Sequence, residues 1–267
     1  MSEFGAAGSS GDSEKEPMPT MGFLDHLEEL RKRLVYSIMA VGVGFGVCWW
    51  KVERIYDVMQ RPIMDALKAN GLSEKLVYLN PTEPFNLYLK IAALAGLFLT
   101  SPFVLYQVWM FISPGLYRHE KRYVVPFMVS TIILFSAGGY FGYKIAYPRA
   151  LDFLIHFGRQ FQPMITIGEY TSLFLSIVLG MGLIFELPIL VFFLSLMGIV
   201  SPGFMWKNFR YSILVIFIIA AIVTPTPDVV NMCIFAAPMV ALYALSIGVA
   251  WLVHPKQRQA RKEKRAQ

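Results

Sequence analysis

Residues 170–197 read YTSLFLSIVLGMGLIFELPILVFFLSLM, a run of 28 residues in which Glu186 is the one charged side chain. An α-helix needs roughly 20 apolar residues to cross the hydrocarbon core of a bilayer. The apolar residues fill the whole run instead of marking one helical stripe, which is typical of a membrane span. This stretch therefore predicts an integral membrane protein.

Five other apolar blocks accompany it, at about residues 34–50, 85–112, 123–143, 211–224 and 233–253. Of the 267 residues, 56% are hydrophobic and 16% are charged, whereas a soluble domain carries about a quarter charged residues. The mean hydropathy is +0.52. We predict an all-α integral membrane protein with six transmembrane helices. Kinks are expected at the prolines inside the spans, which are Pro102, Pro126, Pro188 and Pro238.

The fifth block is short, since about 14 residues rise only about 21 Å as a helix. It either forms a shallow hairpin with the sixth block or lies where the bilayer is locally thinned.

The distribution of basic residues predicts the orientation. Six spans place both termini on one side, and 15 of the 24 lysines and arginines fall on that side. Basic residues favour the cytoplasmic side, so both termini are expected in the cytoplasm. Residues 1–20 are predicted to be a disordered tail or a segment added for expression. Residues 254–267 are predicted to form a basic cytoplasmic tail, either a solvated flank that stops transfer after the last span or a segment that anionic membrane lipids attract.

Residues 23–34 precede the first block and predict an amphipathic helix lying in the inner membrane interface. Their apolar positions share one helical face, with charges around the remainder. Glu28 with Lys32, and Glu29 with Arg33, are pairs at i,i+4 spacing that stabilise a helix. Glu29 is therefore open to two interpretations, a helix-stabilising pair or a ligand-binding carboxylate. Within the block itself, Gly42 and Gly46 predict close helix packing.

Two loop features are predicted from spacing. Apolar residues recur at helical intervals in the first outer segment, at about residues 51–83, and indicate a helical lid: Ile55, Met59, Ile63 and Leu67. The string Ser-Pro-Gly occurs at residues 113–115 and again at 201–203. Serine caps a helix and proline suits its first turn, so we expect a short interfacial helix at each place.

Few residues are candidates for chemistry. Glu186 lies inside a span, where a carboxylate indicates a functional role, although it could instead satisfy backbone groups at a Pro188 kink. Glu120 forms either a surface ion pair or, with another carboxylate, a site for two guanidiniums. Two cysteines and four scattered histidines give no metal site and no disulfide framework. We find no cofactor or nucleotide site, no nucleic-acid site and no nucleophile–base pair, and expect no enzyme.

Seven strings, in this order, resemble the TatC family, the multi-span receptor of the twin-arginine protein translocase. The resemblance extends from Met21 to about Trp251. The strings are HLEELRKRL (26–34), RPI (61–63), PTEPF (81–85), LYQVWMFISPGLY (105–117), HEKR (119–122), FELP (185–188) and TPD (226–228).

The resemblance implies a cytoplasmic site for signal peptides bearing paired arginines, in the cell inner membrane. By matched position, Glu29 and Glu120 bind the arginines, and Arg31 and Phe111 shape the site. Further roles are implied for other matched positions: Glu186 and Asp228 contact partner helices or the signal peptide, while Pro62, Pro114 and Pro188 are structural.

The resemblance also implies partners and an energy source. These are single-span subunits of the TatA/TatB type, self-association in a receptor complex, and the proton-motive force. Met232 stands where some relatives have a glutamine, and Asn231 could substitute for it. The alternative left open is a secondary transporter of a small solute or ion with Glu186 as its proton relay.

Overall fold

The computed structural model of the chain describes residues 23–73, 75–112, 124–161, 164–196, 199–224 and 229–253. Within these residues the chain forms ten α-helices. They are α1 (Phe23–Trp50), α2 (Val52–Ala69), α3 (Glu83–Ile112), α4 (Val124–Phe141), α5 (Tyr147–Phe157), α6 (Ile167–Ile184), α7 (Leu187–Leu196), α8 (Pro202–Lys207), α9 (Phe209–Val223) and α10 (Val229–Val253). A π turn, Gly142–Ala146, joins α4 to α5.

The long helices pack side by side. Helix α1 lies along α3, α4 lies along α6, and α7 and α9 pack against α10. We call the end at which α1 begins and α3 ends the N-terminal face. At the opposite face, α2 covers α3 and α5, and Val77 pairs with the backbone around Thr166. The main apolar core lies between α2, α3, α5, α6, α9 and α10.

Four described helical segments are long and apolar enough to cross a membrane: Leu24–Trp50, Glu83–Phe111, Ile167–Ser195 and Met232–Trp251. Helices α4 and α9 lie within or across the other two predicted blocks, with 18 and 15 residues. Large apolar side chains point outward along α1, including Ile38, Val43 and Val47. Such exposure suits a helix that faces lipid tails.

The amphipathic segment at residues 23–34 is not the separate helix that the sequence predicted. It forms the first turns of α1, which is continuous from Phe23 to Trp50. At 1.5 Å per residue, 28 residues span about 42 Å, so the polar turns extend beyond the hydrocarbon. The prediction was wrong because no proline interrupts the helix between Leu30 and Val41. Ser37 does not cap a new helix there, since its hydroxyl donates to the Arg33 carbonyl within α1 (2.9 Å).

Close packing of α1 depends on Gly44, not on the predicted pair Gly42 and Gly46. A Cβ atom at Gly44 would lie 2.8 Å from the Gly96 carbonyl oxygen and 2.6 Å from Thr100 Cγ2. At Gly42 and Gly46 a Cβ atom would meet nothing within 4 Å. The two glycines of the motif are exposed, whereas Gly44 is buried against α3.

The third and fourth apolar blocks differ from their predicted form. The fourth is divided, because α6 ends at Ile184 and α7 begins at Leu187. Pro188 has no N–H to donate to the Ile184 carbonyl, which explains the break. The third continues past residue 143 through the π turn, where the Tyr147 N–H donates to the Gly142 carbonyl. Pro102 and Pro238 lie inside helices that do not end at them.

Helix α8 confirms one of the two short helices predicted from the Ser-Pro-Gly strings. The Ser201 hydroxyl accepts a hydrogen bond from the Phe204 N–H (3.2 Å), and Pro202 occupies the first turn. Tyr243 of α10 donates to the Met205 carbonyl (3.1 Å) and holds this corner in place. The other string, at residues 113–115, lies outside the described residues.

Helix α2 is the predicted lid. Its buried residues are Val52, Met59, Ile63 and Leu67, and Ile55 packs against the same core. Pro62 lies inside this helix and cannot donate to the Val58 carbonyl four residues earlier. The Tyr143 hydroxyl donates to that carbonyl instead, at 2.7 Å. Pro62 therefore leaves the Val58 carbonyl without a helical donor. The π turn holds the lid α2 in place through its hydrogen bond to this carbonyl.

Tyr143→Phe should lower the free energy of unfolding by about 1 kcal/mol, because the Val58 carbonyl loses its donor. In a Pro62→Ala background the same change should cost close to nothing, since an alanine at this position supplies the missing N–H. Thermal unfolding of the four proteins of this cycle measures the coupling. Tyr140→Phe, at an exposed tyrosine of α4, is the matched control. Equal losses in both backgrounds would contradict this role for Pro62.

Candidate functional site

A polar cluster joins α1 to α3 at the N-terminal face. The Arg33 guanidinium donates through Nη2 to Glu29 Oε1 (3.3 Å) and through Nη1 to Gln107 Oε1 (3.1 Å). The Glu29–Arg33 contact is the predicted i,i+4 ion pair. Gln107 comes from a position 74 residues away from Arg33 and is 4% exposed. The pair is thus anchored to a second helix rather than free on a helix surface.

The Glu29 carboxylate retains capacity for a ligand. Its side chain is 17% exposed, and its Oε2 atom is buried without a hydrogen-bond partner among the described residues. A buried carboxylate oxygen is costly unless it accepts a hydrogen bond. A guanidinium is suited to this site, because it supplies planar N–H donors together with a positive charge.

An aromatic contact lies beside this cluster. The rings of His26 and Phe111 stack with centroids 4.4 Å apart and planes 19° apart. Phe111 belongs to the last turn of α3 and His26 to the first turn of α1, so the stack packs these two helix ends against each other. Arg31 is exposed on α1, two residues from Arg33. The structure thus brings Glu29 and Phe111 to the same end of the α1–α3 pair.

Glu186 lies at the break between α6 and α7. Its backbone carbonyl accepts from the N–H groups of Ile189 and Leu190 at 3.0 Å. Its carboxylate oxygen Oε1 is buried without a partner among the described residues. The carboxylate therefore does not satisfy the kink at Pro188 through that oxygen.

Several predicted residues cannot be placed. Glu120, Pro114 and Asp228 lie outside the described residues, as do both terminal tails. Asn231 lies on α10. Met232, next to it, packs against the apolar core.

Comparison with known proteins decides the family. A family model described as "Sec-independent protein translocase protein (TatC)" matches residues 25–238. The chain belongs to the TatC family.

TatC proteins of several bacteria align over most of this chain. The "Sec-independent protein translocase protein TatC" of Koribacter versatilis is 67% identical over 249 residues, covering 93% of this chain and 92% of that protein. The Aquifex aeolicus protein of the same name is 34% identical over 245 residues, 91% of this chain and 100% of its own.

Solved structures support the same TatC assignment. A crystal structure of the twin-arginine translocase receptor TatC has a TM-score of 0.72 and 35% identity, covering 85% of this chain and 99% of that one. A structure of that receptor in DDM has a TM-score of 0.74 and 36% identity, covering 84% and 99%.

Membership in the TatC family establishes a multi-pass membrane protein that is the TatC subunit of the twin-arginine translocase. It is a translocase component and not an enzyme, and the small-solute transporter left open by the sequence is set aside. Two residues of the α1–α3 cluster were absent from the predicted site, Arg33 and Gln107. The i,i+4 spacing predicts the contact between Arg33 and Glu29, but only as a pair that stabilises the helix and not as part of a binding site. Nothing local in the sequence connects Gln107 to it.

Proposed function

We propose that this TatC chain recognises twin-arginine signal peptides at its N-terminal face, with Glu29 and Glu120 binding the two guanidiniums. The observation that supports the proposal is the Glu29 carboxylate. One of its oxygens is fixed by Arg33 and the other is buried without a partner among the described residues. A carboxylate held in one orientation loses less conformational entropy when it binds.

The chemistry explains why arginine is preferred to lysine. A guanidinium forms two parallel hydrogen bonds to a carboxylate, whereas an ammonium acts as a point charge. Arg31 and Phe111 shape the site in this proposal. The stacked His26 and Phe111 rings add an apolar surface next to Glu29 for the residues that flank the arginines.

The proposed topology has six spans: α1, α3, α4, the α6–α7 pair, α9 and α10. Successive helices lead alternately to the N-terminal and opposite faces, and the count of basic residues favours the cytoplasm for the N-terminal face. Both termini are then cytoplasmic, and the chain lies in the cell inner membrane. Helix α9, at about 22 Å, is the span for which local thinning of the bilayer is expected.

Partner subunits complete the proposal. Glu186 and Asp228 contact single-span subunits, which assemble with TatC and use the proton-motive force, and TatC self-associates in a receptor complex. The buried Glu186 oxygen supports this role, because a carboxylate inside a membrane is expected to be paired or protonated. Pro188 places Glu186 at a helix break, and Pro62 and Pro114 have structural roles.

Direct binding tests the receptor role. The purified chain in lipid nanodiscs should bind a fluorescent signal peptide with paired arginines at least about tenfold more tightly than the paired-lysine peptide. This ratio corresponds to roughly 1.4 kcal/mol. Equal affinities for the two peptides would contradict recognition by bidentate carboxylates.

Arg33→Lys should weaken twin-arginine peptide binding by roughly 3- to 10-fold, or about 0.7–1.4 kcal/mol. A lysine keeps the charge but cannot hold Glu29 and Gln107 in the same fixed fork, so Glu29 becomes mobile. Lys32→Gln, at an exposed neighbour, should leave the affinity unchanged. Tighter binding by Arg33→Lys would mean that Arg33 competes with the peptide for Glu29.

Glu186→Ala should leave peptide affinity within about twofold while reducing partner assembly roughly 5- to 30-fold. The range follows from about 1–2 kcal/mol for one polar contact between membrane helices. Co-purification with the single-span subunits measures assembly, and Glu169→Ala, at an exposed carboxylate in the first turn of α6, is the control. If peptide binding and assembly both survive Glu186→Ala, Glu186 has only a structural role.

A further inference from the structure

A charged cleft lies at the opposite face between the lid α2 and helix α5. Its volume is about 560 Å³, and it is lined by three cations, two carboxylates and the edge of the π turn. The cations are Arg61, Lys144 and Arg149, and the carboxylates are Asp65 and Asp152. Within the part of the chain that is described, none of these five side chains forms an ion pair within 4.0 Å. Charges of both signs thus surround one cleft without neutralising each other directly.

The position of the cleft along the helices suits the level of phospholipid headgroups. Lys144 follows Val124, the first residue of α4, by 20 residues, and a helix of that length rises about 30 Å. The hydrocarbon core of a bilayer is also about 30 Å thick. Tyr140, one turn before Lys144, is 64% exposed, as expected for the aromatic belt at a membrane surface. Ile145, in the π turn, is 44% exposed.

The walls of the cleft are fixed. Tyr143, in the π turn, donates to the Val58 carbonyl of α2, and Tyr170 donates to the Met59 carbonyl at 2.7 Å. The first bond holds α2 against the π turn, which carries Lys144, and the second holds α2 against α6. The widened turn ends two residues before Pro148, whose ring would otherwise press on the Lys144 carbonyl. Turns of this kind are often found at functional sites.

We propose that this cleft binds the headgroup of a zwitterionic phospholipid with a primary amine, such as phosphatidylethanolamine. The phosphate meets Arg61, Lys144 and Arg149, and the ammonium group donates to Asp65 and Asp152. Two carboxylates disfavour a headgroup that carries only negative charge. A choline headgroup satisfies them less well, because its quaternary ammonium has no N–H to donate. The proposal is independent of the signal-peptide site and of which face is cytoplasmic.

Native mass spectrometry of the full chain, delipidated in detergent, tests the proposal. The probes are phosphatidylethanolamine, phosphatidylglycerol and phosphatidylcholine with identical acyl chains, offered at equal concentration. We expect phosphatidylethanolamine to be retained at least about fivefold more than either competitor, or roughly 1 kcal/mol. Equal or greater retention of phosphatidylglycerol by the unmodified chain would overturn the proposal without any variant.

Two double variants then test the binding of the phosphate and the binding of the ammonium group separately. Lys144→Gln with Arg149→Gln should lower retention of all three phospholipids, because the phosphate loses its partners. Asp65→Asn with Asp152→Asn should remove the preference for phosphatidylethanolamine over phosphatidylcholine. Lys68→Gln and Glu53→Gln, at exposed positions of α2 that do not line the cleft, are the controls. A preference that survives the aspartate variant would overturn the assignment of the ammonium site.

Discussion

Glu29→Gln is expected to weaken binding of a twin-arginine signal peptide by roughly 30- to 150-fold, and Glu120→Gln by a similar factor. The basis is about 2–3 kcal/mol for truncating one partner of a desolvated, hydrogen-bonded charge pair. Glutamine has nearly the same shape as glutamate, so the loss reports the charge and its two acceptor oxygens. Titration of a fluorescent peptide onto the purified protein in nanodiscs measures the effect.

The control for Glu29→Gln is Glu28→Gln, at an exposed carboxylate one residue earlier on α1. It changes the net charge of the N-terminal face equally but lies outside the Arg33–Gln107 cluster. Its affinity should stay within about twofold of the unmodified protein. Equal losses from both substitutions would show that the peptide responds to the general charge of the face, and the two-carboxylate site would be wrong.

Gly44→Val should destabilise the fold more than any other glycine substitution on α1. Its Cβ would lie 2.8 Å from the Gly96 carbonyl oxygen and 2.6 Å from Thr100 Cγ2, so α1 and α3 must separate. Overpacking of this kind costs about 2–3 kcal/mol. That corresponds to a fall in Tm on the order of 5–10 °C. Thermal unfolding in detergent, followed by loss of helical circular dichroism, measures it.

Gly42→Val and Gly46→Val are the matched controls, because both positions belong to the same helix and have open space around their Cβ positions. They should shift Tm by no more than about 2 °C. If Gly42→Val and Gly46→Val were the damaging substitutions and Gly44→Val harmless, α1 would pack through its Gly-x-x-x-Gly face. The arrangement of α1 against α3 would then be wrong.

The membrane fold could be predicted because the bilayer imposes length and apolar composition on each span. Spacing alone could not choose which glycines pack. Gly42 and Gly46 satisfy the small-residue motif, but whether that face meets a neighbour depends on where α3 lies. The third block is predicted to end at residue 143, before Lys144 and Arg149. The helix continues through them, since cations at headgroup level need no helix break.

The candidate site was predictable only in part. The Glu29–Arg33 pair follows from i,i+4 geometry, which is local to one helix. Gln107 joins that pair from α3, and no local pattern encodes a contact across 74 residues. The break before Glu186 follows from Pro188, whereas the burial of the Glu186 carboxylate oxygen depends on the packing around the break. Local rules therefore identified single residues, and the tertiary structure identified what they contact.

The most direct test of the receptor role is site-specific photocrosslinking from position 120 to a signal peptide, with paired arginines compared with paired lysines. A second probe at Tyr78, which is 57% exposed at the opposite face, gives the background. We predict a crosslink from position 120 that requires the arginines and is absent from position 78. No arginine-dependent crosslink from position 120, in a folded and inserted protein, would contradict the proposed signal-peptide site.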